Sequence, residues 1–234
     1  MSYIRVSGIT INSIDSKDFD KYVVLLTDKF GKITAKFKSV RKTTSKRIGL
    51  TEEFALEDLL LYKKGNYYIV TEAVLKKDYA NSKANFSKVI ILLYMKKLIL
   101  DAFPYEQEDV NLYNFVIDFL EDLEESNEAL NYEYLAFFIL KFLKFMGFSI
   151  DLKGNIDDIK FFSIDNDGFN TISGIPVRRE VIDEFLTLST LKDTEEIKKC
   201  YHIKEILDLV LEYARVKLEL NEFDSFKNNI SKIV

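Results

Sequence analysis

The apolar residues of this chain change their period once, and that change decides what it can fold into. Up to residue 76 apolar and polar positions alternate, as in half-buried strands; from Asn85 onward apolar residues recur at three and four, as on one face of a helix. The alternating part divides into five runs: Tyr3-Ile4-Arg5-Val6 with Ile9 and Ile11, Tyr22 to Thr27, Ile33 to Val40, Phe54 to Tyr62, and Tyr67 to Leu75. Phe30-Gly31-Lys32 and Lys63-Lys64-Gly65-Asn66 are the clearest turns, because glycine takes the positive φ that a tight hairpin requires. In the helical part, Phe86, Val89, Ile90, Leu93, Tyr94, Lys97 and Leu98 share a face, and Phe103-Pro104 ends that helix. Leu112, Phe115, Val116, Phe119, Leu120 and Leu123 mark a second helix; Tyr134, Leu135, Phe138, Ile139, Phe142, Leu143 and Met146 mark a third, closed by Gly147. Two more are expected at Arg178 to Ser189 and Tyr201 to Leu220, with a short last one at Phe223 to Ile233.

Five short antiparallel strands in the first third of the chain match a small closed barrel of the OB type. The expected class is therefore α+β: a five-stranded OB-fold barrel over residues 1–80, then an α-helical bundle domain over residues 81–234. Between the third and fourth helices, Phe148 to Pro176 carries short alternating runs around Asp165-Asn166-Asp167-Gly168, and a β-hairpin insert laid over the bundle is expected there. With 47% apolar residues, 19 Phe and 13 Tyr, the chain can bury enough surface to offset the entropy of ordering, so disorder is not expected over most of its length.

Charge separates the same two parts. Residues 1–80 hold 15 Lys and Arg against 10 Asp and Glu, a net of +5, whereas residues 81–234 hold 18 against 28, a net of −10. The stretch from Lys29 to Thr51 concentrates eight basic side chains, Lys29, Lys32, Lys36, Lys38, Arg41, Lys42, Lys46 and Arg47, and no acidic one. A one-sign block in an acidic background reads as a surface for a polyanion, and the eight are the candidate nucleic-acid-binding residues. Arg41, Lys42, Lys46 and Arg47 are the first choice, in a loop where long cationic side chains can follow an irregular backbone. Lys36 and Lys38 share one strand face, so Phe37 between them points into the core. Tyr3, Tyr22, Tyr67 and Tyr68 are the aromatic candidates for base stacking; Tyr67 and Tyr68 face opposite ways, so one of the two is exposed. The plainer reading, a solvated basic face without a ligand, stays open.

Enzymatic readings find little. His202 is the only histidine and Cys200 the only cysteine, and their spacing carries no metal or protease signature. Asp165-x-Asp167-Gly168 lacks the late bidentate Glu of a calcium loop, and no glycine-rich phosphate loop is present. Neither a catalytic residue nor a cofactor is expected. The start, MSYIRVSGITINSID, alternates instead of running apolar, Val89 to Tyr94 is broken by Lys96 and Lys97, and one cysteine makes no internal disulfide; a cytoplasmic protein is expected.

Two runs, DFDKYVVLLTDKFGKITAKFKSVRK and LTEEFALEDLLLYKKGNYYIVTEAVL, resemble the amino-terminal domain of the bacterial recombination mediator RecO family, and LKFLKFMGFSIDL is more weakly similar to the segment leading to that family's zinc site. The resemblance implies an OB-fold joined to a helical domain, binding of single- and double-stranded DNA, annealing of complementary strands, and work alongside RecR, single-strand binding protein and RecA at the nucleoid. It also marks departures. Many members carry a four-cysteine zinc module where this chain has Phe148 to Pro176 without a cysteine, and Asp151, Lys153, Asp157 and Asp158 are no substitute set. A metal-free insert held by Phe161, Phe162 and Phe169 is therefore expected. The family's usual glycine in the basic loop is Ser39 here, and FDSFKNNI is only loosely similar to the closing helix. Within the helical part, Lys96, Lys97, Lys141, Lys144, Arg178 and Arg179 are candidates for receiving an acidic partner tail. The alternative from another class is an acidic helical adaptor whose barrel takes a protein or peptide; a carboxylate-based nuclease finds no support in the spacing.

Overall fold

A computed structural model describes residues 2–41, 48–126 and 130–220. Contacts group the chain into two compact units, residues 1–89 with 103–125, and residues 90–102 with 126–234. The last expected helix, at Phe223 to Ile233, lies outside the described residues.

The first unit is built on a closed five-stranded barrel in the order β1-β2-β3-β5-β4, with β1 at Ile4–Asp15, β2 at Lys21–Thr27, β3 at Gly31–Phe37, β4 at Leu56–Lys64 and β5 at Tyr67–Lys77. All neighbours are antiparallel except β3 and β5, which close the ring in parallel through Ala35↔Tyr68, Lys36↔Ile69 and Phe37↔Val70. This is the OB arrangement expected from the sequence. Alternation works as it should: Val23 and Leu25 of β2, Ile33, Ala35 and Phe37 of β3, and Leu59 and Leu61 of β4 fill the interior, so Phe37 is core. Gly31 and Gly65 both stand at positive φ in their turns. A 3-10 turn, Ile48–Thr51, precedes β4.

A short helix α1 (Ala80–Ala84) leads into α2 (Phe86–Ala102), whose first turn is capped by the Asn85 side chain accepting the Lys88 N–H at 3.1 Å. Helix α3 (Val110–Glu125), capped by Asp109 through the Leu112 N–H, buries Leu112, Val116, Phe119, Leu120 and Leu123. The sequence reading assigned this helix to the helical domain; by contacts it groups with the barrel. Its far turn fastens the exit of β5, where Glu121 accepts the Tyr79 hydroxyl and Glu124 accepts the N–H groups of Asn81 and Ser82.

In the second unit α4 (Asn131–Phe145), α5 (Arg179–Thr190) and α6 (Ile203–Lys217) pack against one another. Helix α4 ends as its sequence requires: Gly147 stands at φ 84° while its N–H reaches Lys144 O and the Phe148 N–H reaches Leu143 O. The insert is more than a hairpin. Its expected antiparallel pair is present as β7 (Phe161–Ser163) and β8 (Gly168–Asn170), but β6 (Asp151–Lys153) adds in parallel to β8 and β9 (Ile175–Pro176) adds to β7. Phe162 and Phe169 are fully buried, Phe169 4.8 Å from the Phe185 ring of α5 and Phe162 6.2 Å from the Tyr213 ring of α6. Phe161 is only partly buried.

Candidate nucleic-acid interface

The loops joining β1 to β2 and β3 to β4 leave the same end of the barrel, and the start of β5 brings Tyr67 alongside the strands there. The residues there are set by strand register. Ile14 of β1 stands opposite Tyr22 of β2, and Tyr22 opposite Lys36 of β3, so three side chains form one outward row roughly 10 Å across. Tyr67, outward on β5, sets its ring edge-on to Tyr22 with centroids 5.6 Å apart, and the Lys36 ammonium lies 5.3 Å from the Tyr22 ring centre. Tyr68, its neighbour, is buried in the barrel. Tyr3 is exposed and pairs edge-on with Tyr62, which lies two strands beyond Lys36 in register.

The loops beside the row are tied down by two carboxylates. Asp20 lies between Lys36 Nζ at 2.8 Å and the Ser39 N–H at 2.6 Å. The Lys36 ammonium first, then the Ser39 N–H, hold its carboxyl below the usual range, and Asp20 raises Lys36 in return. Ser39 stands at φ 54°, a conformation that glycine adopts without strain, which accounts for the glycine expected at this point of the loop. Arg41 reaches Asp15 Oδ2 at 3.0 Å and the Ser16 carbonyl, while its main-chain N–H donates to Phe19 O at 3.0 Å. A recess of about 310 Å³ opens beside it, lined among the described residues by Asp15, Lys21, Val40, Arg41 and Thr51.

The basic block does not form one arc. Lys36, Lys38 and Arg41 stand at this end, and only Lys38 among them is an exposed residue. Lys29 and Lys32 stand at the opposite end of β3, on the order of 20 Å away along the strand. Lys29 donates to the Arg5 carbonyl at 2.7 Å. Lys32 is only 2% exposed, its ammonium 4.4 Å from the centre of the Tyr105 ring and its carbonyl bonded to the Glu106 N–H, a placement that takes it away from any phosphate. Lys42, Lys46 and Arg47 lie outside the described residues.

The structure adds residues that alternation did not reveal. Ile14 faces outward because a β-bulge between Thr10 and Asn12 inverts the faces of β1 beyond that point. Lys21 beside Tyr22 and Phe19 on the β1–β2 turn also belong to this end, and Lys64 stands opposite Tyr67 in register. A composition signal exists for the lysines; nothing in the sequence marks the bulge.

Other candidates are committed elsewhere. Lys97 pairs with Asp101, Lys144 donates to Ser189 O, Lys141 to Leu191 O, Arg178 pairs with Glu205, and Arg179 with Asp157 and Asp183; Lys96 is engaged as well. Cys200 is pushed up to about 11 by burial, so its thiol is unreactive at neutral pH, and His202 Nδ1 lies 3.3 Å from Glu184. No three His, Cys, Asp or Glu side chains among the described residues gather around a possible metal ion.

Residues 1–79 match the family described as Recombination protein O N terminal, and residues 84–157 the family described as Recombination protein O C terminal. The chain belongs to the recombination protein O family. It is 33% identical over 151 residues to the DNA repair protein RecO of Clostridium perfringens strain 13, spanning 64% of this chain and 61% of that one. The RecO of Clostridium novyi is 30% identical over 154 residues, 65% and 59% of the two chains. The chain thus spans about three fifths of the length of these two relatives. With the RecO of Caldanaerobacter subterraneus the match is 22% identical over 236 positions and takes in 94% of this chain and 95% of the relative. The first RecO match ends just beyond β5 and the second stops inside the insert, so β7, β8, β9, α5 and α6 lie beyond it. The zinc module of many RecO proteins does not fit this insert, which offers neither sulfur nor imidazole; the Phe162 and Phe169 rings, and Asp167 paired to Lys217 at 2.5 Å, hold it instead. No helix among the described residues is long and apolar enough to cross a membrane.

Proposed function

We propose that this RecO-family chain is a DNA repair protein that mediates homologous recombination without making or breaking covalent bonds. It binds single- and double-stranded DNA at the loop-bearing end of the barrel, anneals complementary strands, and helps load the RecA recombinase onto DNA coated by single-strand binding protein. RecR and single-strand binding protein are its protein partners, met through the acidic helical part, and its place is the nucleoid.

The observation that carries this reading is the outward row of Ile14, Tyr22 and Lys36 with Tyr67 beside it. Flat aromatic faces interleaved with cations are what unpaired bases and their phosphates require, and stacking tolerates any sequence. Neutralising phosphates on two strands while base edges stay free lowers the barrier to their pairing. The phosphate contacts are assigned to Lys21, Lys38 and Lys64, with Lys42, Lys46 and Arg47. Lys36 and Arg41 serve chiefly by fixing the loops, and Lys29 and Lys32 are set aside.

The test is fluorescence anisotropy of a labelled oligonucleotide across a salt series, for the parent and for Lys21→Ala with Lys38→Ala. Arg41 is unsuitable for such a test, because reversing it would release the β1–β2 turn. Binding by the parent should weaken steeply with salt, and the double variant should bind less tightly with a slope lower by about two, one for each lost phosphate contact. Salt-indifferent parent binding, or an undiminished variant, overturns the assignment; a protein ligand held equally well in high salt would favour the adaptor.

A further inference from the structure

The β1–β2 turn presents a residue whose placement the barrel itself does not need. Asp18 at φ 59° and Phe19 at φ 62° are the central pair of a hairpin turn that favours Asn-Gly, closed by Asp20 N–H to Lys17 O and Ser16 N–H to Asp20 O. A phenylalanine in the left-handed region is strained, and such strain persists only where surrounding bonds impose it. Here they do: Arg41 N–H bonds Phe19 O, and Asp20 is held by Lys36 and Ser39. Yet the ring is not used for packing, since Phe19 is 56% exposed and makes no ring contact among the described residues. The turn therefore fixes the backbone of a residue whose aromatic ring stands uncovered.

We propose that Phe19 is a base-stacking finger that caps the last base pair where duplex DNA gives way to single strand. This rests on the DNA-binding reading above. Inside a duplex every base face is already covered; only a terminal pair or an unpaired base offers a free face to a protruding ring. The exposed Asp18 carboxylate beside the ring disfavours a phosphate at the tip but not an uncharged base. Phosphates on either side meet Lys17 and Lys21, whose ammonium groups have no hydrogen-bond or ion-pair partner among the described residues. The Tyr22 and Tyr67 row beyond takes the unpaired bases that follow.

The experiment compares the full chain with Phe19→Ala, Phe19→Gly and Phe19→Trp on a forked oligonucleotide carrying 2-aminopurine at the junction. The parent should change the 2-aminopurine emission on binding. Phe19→Ala and Phe19→Gly should lose that change and bind the fork about tenfold more weakly with an unaltered salt slope, while Phe19→Trp retains both. Phe19→Gly, freed of backbone strain, should also melt higher than the parent, so weaker fork binding comes with greater stability, a split that a purely structural Phe19 would not produce. Variants that match the parent in fork affinity and emission overturn the finger and leave the DNA-binding reading intact. A parent that binds no oligonucleotide overturns both.

Discussion

Glu57 of β4 lies opposite Gly8 of β1, is fully buried, and has no hydrogen-bond partner for either carboxylate oxygen among the described residues. Burial alone pushes its carboxyl up to about 9, so the residue folds as the neutral acid. In the unfolded chain it ionises near the ordinary value of 4.5. The folded value is the higher one, so the contribution of Glu57 to stability is intact below pH 4.5 and is lost progressively as pH rises toward about 9. Denaturant melts at pH 5, 7 and 8.5 should show parent stability falling by up to about 1.4 kcal/mol per pH unit more steeply than that of Glu57→Gln. Glu57→Leu should gain roughly 1–3 kcal/mol at pH 7, because it removes an unpaired buried polar group. Identical pH profiles for parent and Glu57→Gln would show the carboxyl to be solvated.

Among the elements, the β2–β3 hairpin is the most constrained. A methyl group on Gly31 would stand 1.7 Å from the Gln107 carbonyl oxygen, and the residue is at φ 60°. Gly31→Ala should cost about 3 kcal/mol, from left-handed strain and from a backbone contact that cannot give way, read as a lowered thermal midpoint. The same hairpin shows what sequence reading reaches. The strand, its Gly turn and the inward Phe37 follow from alternation and turn chemistry, both local. Burial of Lys32 does not, because Tyr105 and Glu106, which cover it, come from a segment distant in sequence. Likewise β6, β7, β8 and β9 span two or three residues each, too few for a period to register, so only the Asp-Gly turn between β7 and β8 was legible. At the candidate interface Tyr22, Tyr67, Lys36 and Lys38 were legible, whereas the bulge that turns Ile14 outward and the strained Phe19 turn were not.

At the scale of the whole molecule, the insert packs on Phe185 and Tyr213 through Phe162 and Phe169, with rings where a metal-bound module would have its ligands. Excess chelator should leave the melting curve of the full chain unchanged, whereas Phe169→Ala should destabilise it by about 3–5 kcal/mol. A chelator-induced loss of structure would overturn this expectation. The first unit is also discontinuous: residues 1–89 are completed by 103–125, including the Tyr105 to Gln107 stretch that covers Gly31 and Lys32 and the α3 turn that anchors Tyr79. During synthesis, then, the nascent barrel cannot reach its final state when β5 leaves the ribosome. It must wait, the β2–β3 hairpin uncovered until Gln107 has emerged and the exit of β5 unfastened until Glu124 has, which makes that interval the time at which chaperones have most to protect.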